Sequence, residues 1–170
     1  ARAAAAPAAD AIVEITDRAG LEAIAQNPDG HYRLAAHIDM GGAAWQPIPF
    51  NGIFDGDGFA LYNLTIRAAD PVTAVSVDGN RLPYDTQFAA LFSRCVSASI
   101  QDLTLLGADV ALETDQSAYA AGLVGYGENV TLTGCNVWGR VALTVGGPMC
   151  GVAGVMGFGY GSITGCTAVA

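Results

Sequence analysis

The sequence predicts an all-β protein, a right-handed parallel β-helix (solenoid) of about four coils with an N-terminal cap that contains one short helix. Three observations favour this fold: a tandem repeat, short strand patterns bounded by glycine, and an apolar, glycine-rich composition. Of the 170 residues, 52% are hydrophobic, 14% are charged and 22 are glycine. This balance is typical of tightly packed, turn-rich β structure and not of a disordered chain.

The repeat is most distinct in the second half of the chain. The segments AGLVGYGENVTLTGC (121–135) and AGVMGFGYGSITGC (153–166) share their apolar, glycine and aromatic positions and end on the same T-G-C. Two earlier segments follow the pattern more loosely, ALFSRCVSASIQDLTL (90–105) and GIFDGDGFALYNLTI (52–66). Equivalent residues of tandem repeats stack above one another in a solenoid. The core row that this stacking predicts consists of Leu64, Leu103, Cys135 and Cys166.

The pattern divides the chain into three parts. Residues 1–10 (ARAAAAPAAD) are rich in alanine, and we expect a flexible N-terminal segment there. Residues 11–50 predict an N-terminal cap that shields the strand edges of the first coil. Residues 51–170 hold the repeats. Because no second cap follows the last repeat, we expect the solenoid to continue beyond residue 170 in a longer parent protein.

The cap combines strands with one helical segment. AIVEI (11–15) predicts a strand, and DRAGLEAIAQ (17–26) predicts a short helix with Thr16 or Asp17 as its N-cap. One face of that helix is apolar and carries Leu21, Ile24 and Ala25. YRLAAHIDM (32–40) then predicts a pair of strands.

Residues 67–88 interrupt the repeat. They lengthen the first interval to 38 residues, counted from Ile53 to Leu91. Within this insertion, VSVDGN (75–80) reads as a strand and a turn, which predicts a protruding hairpin. Insertions in solenoids map to one face and often bind partners, although an inert loop is the alternative interpretation. The candidate contact residues are Arg81, Tyr84 and Asp85.

Charge excludes two classes of partner. The net charge is −9, and all seven basic residues are arginines scattered along the chain. Without a basic stripe the chain is not expected to bind nucleic acid or an anionic membrane surface. No apolar run approaches the roughly 18 to 20 residues that span a bilayer, so membrane insertion is not expected.

Few residues suggest metal or catalytic chemistry. Asp55 and Asp57 alternate with glycines like a fragment of a calcium loop, but a full loop needs a glutamate where Ile66 stands, and Asp-Gly pairs are also ordinary turn residues. No serine or cysteine lies in a nucleophile motif, and both histidines, His31 and His37, lie in the cap and are interpreted as structural. We therefore predict no catalytic residue and no cofactor.

Cys135 and Cys166 occupy the same place in adjacent repeats. Stacked coils would bring their Cα atoms to about 5 Å, which is within disulfide reach. In-register side chains, however, point in parallel rather than toward each other. The pattern therefore favours two buried thiols that pack as small apolar side chains.

The repeats resemble the GLUG-motif repeats of bacterial surface and secreted proteins. AGLVGYG (121–127) and AGVMGFG (153–159) are similar to the motif, and the segment from Leu21 to Ile66 resembles the region that often precedes those repeats. The resemblance extends from about Ile12 to the last residue and departs from the pattern at 67–88. It implies a β-helical module of adhesin-like proteins and IgA-type peptidases, without a family active site.

These observations lead to one main functional hypothesis. We expect a non-catalytic module of a cell-surface or secreted protein, located outside the cell, that acts as a rigid scaffold or as an adhesive binding surface. An N-terminal accessory domain of a secreted peptidase and a carbohydrate-binding or carbohydrate-cleaving β-helix are the alternatives. The expected partner is an unidentified protein or glycan, and the uncapped C-terminal coil is expected to permit edge-to-edge self-association.

Overall fold

The computed structural model describes residues 11–72, 76–77, 80–81 and 85–169. One short α-helix, α1 (Arg18–Glu22), is followed by a 3-10 turn (Ala23–Gln26). The strands are β1 (Ile12–Ile15), β2 (His31–Leu34), β3 (Ile38–Asp39), β4 (Ile53–Asp55), β5 (Ala60–Tyr62), β6 (Thr65–Ile66), β7 (Pro71–Val72), β8 (Ser76–Val77), β9 (Asn80–Arg81), β10 (Thr86–Ala89), β11 (Phe92–Val96), β12 (Ser99–Gln101), β13 (Thr104–Thr114), β14 (Ser117–Ala120), β15 (Val124–Thr133), β16 (Asn136–Val145), β17 (Cys150–Val152), β18 (Met156–Thr164) and β19 (Thr167–Val169).

These strands form three large sheets and one small hairpin. Sheet 1 contains β1, β2, β4, β11, β12, β15 and β18, and sheet 2 contains β3, β5, β6, β13, β16 and β19. Sheet 3 has the order β17-β14-β10-β7, and β8 pairs only with β9. All pairings between named strands are parallel except β10 with β7 and β8 with β9. The prediction of an all-β fold dominated by parallel sheets is confirmed among the described residues.

Successive strands of one sheet are one repeat apart in sequence. In sheet 1, Phe92 pairs with Val124, which pairs in turn with Met156. In sheet 2, Leu105 pairs with Val137, and Val137 pairs with Ala168. The sheets therefore grow by the addition of consecutive repeats, an arrangement consistent with a parallel solenoid.

The first repeat is in a different register from the one expected from the sequence. Phe54 pairs with Ile100, and Ile48 forms the bridge to Phe92, so the predicted match of Ile53 and Phe54 with Leu91 and Phe92 is wrong. The interval is therefore 46 residues in the first pairing and 44 in the second. The reason is that Ile53-Phe54 and Leu91-Phe92 are both apolar pairs followed by polar residues, although they lie at different positions of the repeat.

The core is built from rows of inward side chains that stack between strands. Tyr32, Phe54, Ile100 and Leu132 lie in one such row in sheet 1, and each is buried. The next residue of the row, Ile163 on β18, is 49% exposed. A fully buried apolar side chain contributes about 1.5–3 kcal/mol, so these rows dominate the stability of the chain.

The N-terminal helix covers the first end of the core. The side chain of Asp17 accepts a hydrogen bond from the backbone N–H of Gly20 at 2.8 Å, which identifies Asp17 as the N-cap. Leu21 and Ile24 are buried as predicted, whereas Ala25 is exposed, contrary to prediction. The tighter 3-10 winding of residues 23–26 rotates Ala25 away from the face that an α-helix would give it.

The glycines of the AGLVGYG segment permit a tight corner between sheets 1 and 3. A Cβ atom on Gly125 would lie 2.5 Å from the Cβ of Phe88, so no larger residue fits there. Beside this corner Phe88, Tyr119 and Tyr126 form a buried aromatic cluster apart from the main core, with Phe158 packed against it. The rings of Tyr119 and Phe158 stack with centroids 4.8 Å apart. The repeated glycines and aromatics of the sequence thus fix the geometry of this corner.

Candidate functional site

The insertion contains the antiparallel hairpin that the sequence predicts. The backbone of Arg81 pairs with that of Ser76 in the antiparallel β8–β9 hairpin. Tyr84 and the side chain of Arg81 lie outside the described part of the chain. Asp85 is exposed and directly precedes β10. Of the three candidate contact residues, the structure therefore positions only Asp85 as a surface side chain.

Asp55 and Asp57 form a turn. One carboxylate oxygen of Asp55 accepts a hydrogen bond from the N–H of Asp57 at 2.8 Å, and the other accepts from the side-chain amide of Gln101 at 3.0 Å. Asp57 has a positive φ of 49°, and a Cβ atom on Gly56 would lie 2.3 Å from the carbonyl oxygen of Asp102. The Asp55 carboxylate is thus engaged in holding the turn against the next strand. Among the described residues, no group of three or more histidine, cysteine, aspartate or glutamate side chains could hold a metal ion.

Three of the four residues predicted to form one core row do stack at equivalent positions, and the fourth does not. Asn136 N donates to Leu103 O and Thr167 N donates to Cys135 O, each at 2.9 Å, so Leu103, Cys135 and Cys166 follow one another at equivalent positions. Leu64 is buried but lies outside this row, because its carbonyl accepts from Asp109 N at 2.8 Å. Phe59, whose carbonyl accepts from Thr104 N at 3.4 Å, takes the position beneath Leu103. The correction follows from the register of the first repeat.

The cysteines are free thiols and their environments disfavour nucleophilic chemistry. The Sγ of Cys166 accepts a hydrogen bond from the backbone N–H of Cys135 at 3.4 Å, and no disulfide joins the two residues. Burial raises the pKa of Cys135 to about 11 and raises the pKa of Cys95 further. Because the thiolate is the reactive form, both groups are unreactive near neutral pH. Cys150 on β17 is exposed.

His37 has a structural role in the cap. Its Nδ1 accepts a hydrogen bond from the N–H of Ala60 at 3.0 Å. The rings of Phe59 and Tyr62 lie edge-on to it, with centroids 5.2 and 5.8 Å away. The imidazole therefore joins the cap to β5. His31 lies on β2 and is paired through its backbone with Ile53.

A hollow on the outer face of sheet 2 was not predicted from the sequence. We call it the outer groove, and it encloses about 400 Å³ between β13 and β16. Ala111 pairs with Ala142 at its centre, and Glu113 pairs with Thr144 at one end. The residues that line it are Arg67, Ala111, Leu112, Glu113, Arg140, Ala142 and Thr144.

Two arginines and one aspartate form a charged group at the other end of the outer groove. Arg67 donates to the carboxylate of Asp109 at 2.5 Å, to the carbonyl of Asp109 at 2.8 Å and to the carbonyl of Ile66 at 3.0 Å. Arg140 approaches the second carboxylate oxygen of Asp109 at 3.6 Å and has 68% of its side chain exposed. That oxygen is buried and accepts no hydrogen bond among the described residues. The Arg67 side chain is thus fixed by hydrogen bonds, whereas the guanidinium of Arg140 remains accessible to a ligand.

A second hollow, of about 300 Å³, lies beside the loop before β4. Pro47, Pro49 and Arg94 line it together with Asp70 and Ser93. The guanidinium of Arg94 lies 6.0 Å from the ring centroid of Tyr126 and 3.8 Å from the carboxylate of Glu128. The side chain of Arg94 is 38% exposed, against 68% for that of Arg140, so less of Arg94 is accessible to a ligand.

The last described strands, β17, β18 and β19, form an exposed layer that we call the terminal edge. Large apolar side chains are exposed there and on the adjoining β16: Trp138, Val152, Tyr160, Ile163 and Val169. A small apolar hollow of about 180 Å³ opens beside it, lined by residues that include Val137, Val141 and Ala168. No charged residue occurs in the sequence after Arg140. The terminal edge is thus apolar and uncharged.

No family model, curated protein or solved structure matches this chain. No helix among the described residues is both long enough and apolar enough to span a bilayer.

Proposed function

We propose that this chain is a non-catalytic module of a bacterial cell-surface or secreted protein of the GLUG-repeat type, acting as a rigid scaffold that presents binding surfaces. Its strands are proposed to wind as a right-handed parallel β-helix of about four coils, because connections between parallel strands of one sheet are almost always right-handed. The observation that carries the proposal is the continuous register through successive repeats, exemplified by Phe92, Val124 and Met156. Such stacking produces a stiff column from short segments.

The arrangement of polar side chains supports a scaffold. On the outer face of sheet 1, Glu14 pairs with Arg33 at 2.6 Å, and one strand further Asp55 accepts from Gln101. These groups lie in one outward row and bind one another. A catalytic site instead needs a base or nucleophile that is free to act on a substrate.

The terminal edge supports association with a second copy. Among the described strands β17, β18 and β19 each pair on one side only, and such a layer readily accepts another strand unless charges protect it. Here Ile163 and Val169 are exposed on strands without any charged residue. Because the whole chain carries a net charge of −9, an uncharged edge is the surface on which two copies repel each other least.

Sedimentation velocity over a wide range of protein concentration tests this association. Ile163 belongs to the inward row, so Ile163→Lys places a charge where an added layer would pack, and the dimer fraction should fall. Ser162→Lys is the matched control, because Ser162 is the outward neighbour on the same strand and pairs with Thr131. Equal dimer fractions in the wild type and Ile163→Lys, or no dimer at any concentration, would refute the proposed association.

The scaffold itself is tested separately by small-angle X-ray scattering and hydrogen exchange. Four coils about 5 Å apart make a stack only about 20 Å high, so scattering should show a compact, rigid particle. Amides of β13 and β15 should exchange slowly, because both strands have partners on two sides over much of their length. The amides of β18 should exchange faster, since it pairs only with β15 among the described strands. Uniformly fast exchange in all three strands would contradict a rigid scaffold.

A further inference from the structure

We propose that the outer groove is a binding site for a carboxylate-bearing oligosaccharide of the uronic acid type. This inference rests on the proposed function of the chain as a non-catalytic binding module, and it names the site and the chemical class of ligand. Its first support is the shape of the surface. Ala111 and Ala142 pair side by side, and their methyl groups form the floor between longer side chains.

The charge at one end of the groove selects an anion. Arg67 is held by three hydrogen bonds, two of them to Asp109, so the negative charge of Asp109 is locally compensated. Arg140 is 68% exposed, and its 3.6 Å approach to Asp109 is too long for a strong hydrogen bond. Its guanidinium therefore retains donors for a planar carboxylate, the partner that it binds best through two parallel hydrogen bonds. The chain as a whole carries a net charge of −9, so this positively charged end of the groove is a place where an anionic ligand is attracted and not repelled.

The opposite end offers hydrogen bonds suited to hydroxyl groups. Glu113 and Thr144 are exposed and lie in register with each other. The carboxylate of Glu113 accepts from hydroxyls, and the hydroxyl of Thr144 both donates and accepts. Arg140 and Thr144 are separated by four residues along β16, or about 13 Å, which exceeds one sugar ring. An oligosaccharide can thus engage both ends while its apolar face rests on the alanine floor.

A peptide is a poorer fit to this surface. Extended peptides are commonly captured at an open sheet edge, where the main chain supplies the hydrogen bonds. At the groove β13 and β16 pair with each other, from Asp109 with Arg140 to Glu113 with Thr144, so a ligand that lies on the outer face between them meets side chains only. β19 pairs with β16 only as far as Trp138, so a peptide added to the edge of β16 beyond that residue would lie beside the groove and not in it.

Isothermal titration calorimetry with trigalacturonic acid and its methyl ester provides the test. The wild-type chain should bind the acid and should bind the neutral ester at least about tenfold more weakly, as expected when a charged hydrogen bond is lost. Arg140→Gln should weaken binding of the acid by a similar factor. Ala142→Leu, which fills the hollow without changing its charge, should also weaken it. Arg33→Gln is the matched control, since it makes the same charge change on sheet 1 and should leave affinity unchanged.

Several outcomes would overturn the proposal. These are equal affinity for the acid and the ester, unchanged affinity in Arg140→Gln or Ala142→Leu, and an absence of binding by a wild-type chain whose circular dichroism shows it to be folded. None of these outcomes affects the proposed scaffold, and conversion of the trisaccharide to shorter products would refute instead the proposal that the module is non-catalytic. The side chains of Arg140 and Ala142 lie on the outer face of sheet 2, so circular dichroism should show both variants to be folded.

Discussion

Leu132 and Ile163 allow the energetic role of stacking to be measured at two neighbouring positions of one row. They pair across β15 and β18 and carry similar apolar side chains, but Leu132 is completely buried while Ile163 is 49% exposed. Replacing each by alanine therefore removes similar groups from an enclosed and from a half-open environment. We expect the two variants to lose very different amounts of stability.

The magnitudes follow from burial. Leu132→Ala loses both the transfer free energy of the removed atoms and the contacts around the cavity, about 3.5 kcal/mol in total. Ile163→Ala loses about half of a transfer term, close to 1 kcal/mol, and water can fill the space. For a chain of this length, Leu132→Ala should lower the melting temperature by about 10 °C and Ile163→Ala by about 3 °C.

Urea unfolding monitored by circular dichroism and tryptophan fluorescence provides the measurement. Trp45 is buried and Trp138 is 48% exposed, so the change of emission on unfolding comes mainly from the exposure of Trp45. A loss of about 3 kcal/mol in Ile163→Ala would show that another layer covers the terminal edge, and its dependence on protein concentration would identify a second copy. A loss below about 1 kcal/mol in Leu132→Ala would refute the inward placement of this row.

Two further substitutions test local features of the fold by thermal unfolding. Gly125→Ala should destabilise by about 3 kcal/mol, because its Cβ would lie 2.5 Å from the Cβ of Phe88. Gly58→Ala is the matched control and should cost only about 1 kcal/mol, since its φ of +77° is strained but no atom lies within 4 Å. Asp17→Ala should cost about 1 kcal/mol by removing the acceptor for the Gly20 N–H, and Asp17→Asn should retain most of that stability.

The second half of the fold was predictable because its repeats lack insertions. From Phe92 to Val124 and from Val124 to Met156 the pairings keep the spacing of 32 residues that separates AGLVGYG (121–127) from AGVMGFG (153–159) in the sequence. The first repeat was misaligned because GIFDGDG (52–58) and ALFSRC (90–95) share an apolar pair that belongs to different strands. Which strand of the next repeat pairs with Ile53–Asp55 depends on the packing of the turn at Gly56 against the backbone of Asp102. This is a tertiary contact, and the periodicity of the sequence does not reveal it.

The outer groove was missed for a related reason. Its members come from β13, β16 and the residue after β6, which are brought together only by pairings over 31 and 44 positions, such as Asp109 with Arg140 and with Thr65. An irregularity between Leu106 and Ala108 changes the offset from 32 to 31 within a single strand. Two outward alanines beside arginines were visible in the sequence, but their register could not be read without locating that bulge.

Alkaline pH should destabilise the chain through Cys135. Burial raises the pKa of this thiol to about 11, above the value of about 8.5 expected once the chain unfolds. Its stabilising contribution is therefore complete below about pH 8.5 and is lost as pH rises through about 11, by at most about 3 kcal/mol. Cys135→Ala should show a smaller decline in unfolding free energy between pH 8 and pH 11 than the wild type, while Cys150→Ala, at an exposed site, should decline as the wild type does. The prediction rests on the complete burial of Cys135 in the core. Parallel declines in the wild type and Cys135→Ala would refute it, because they would show that water reaches this thiol in the folded chain.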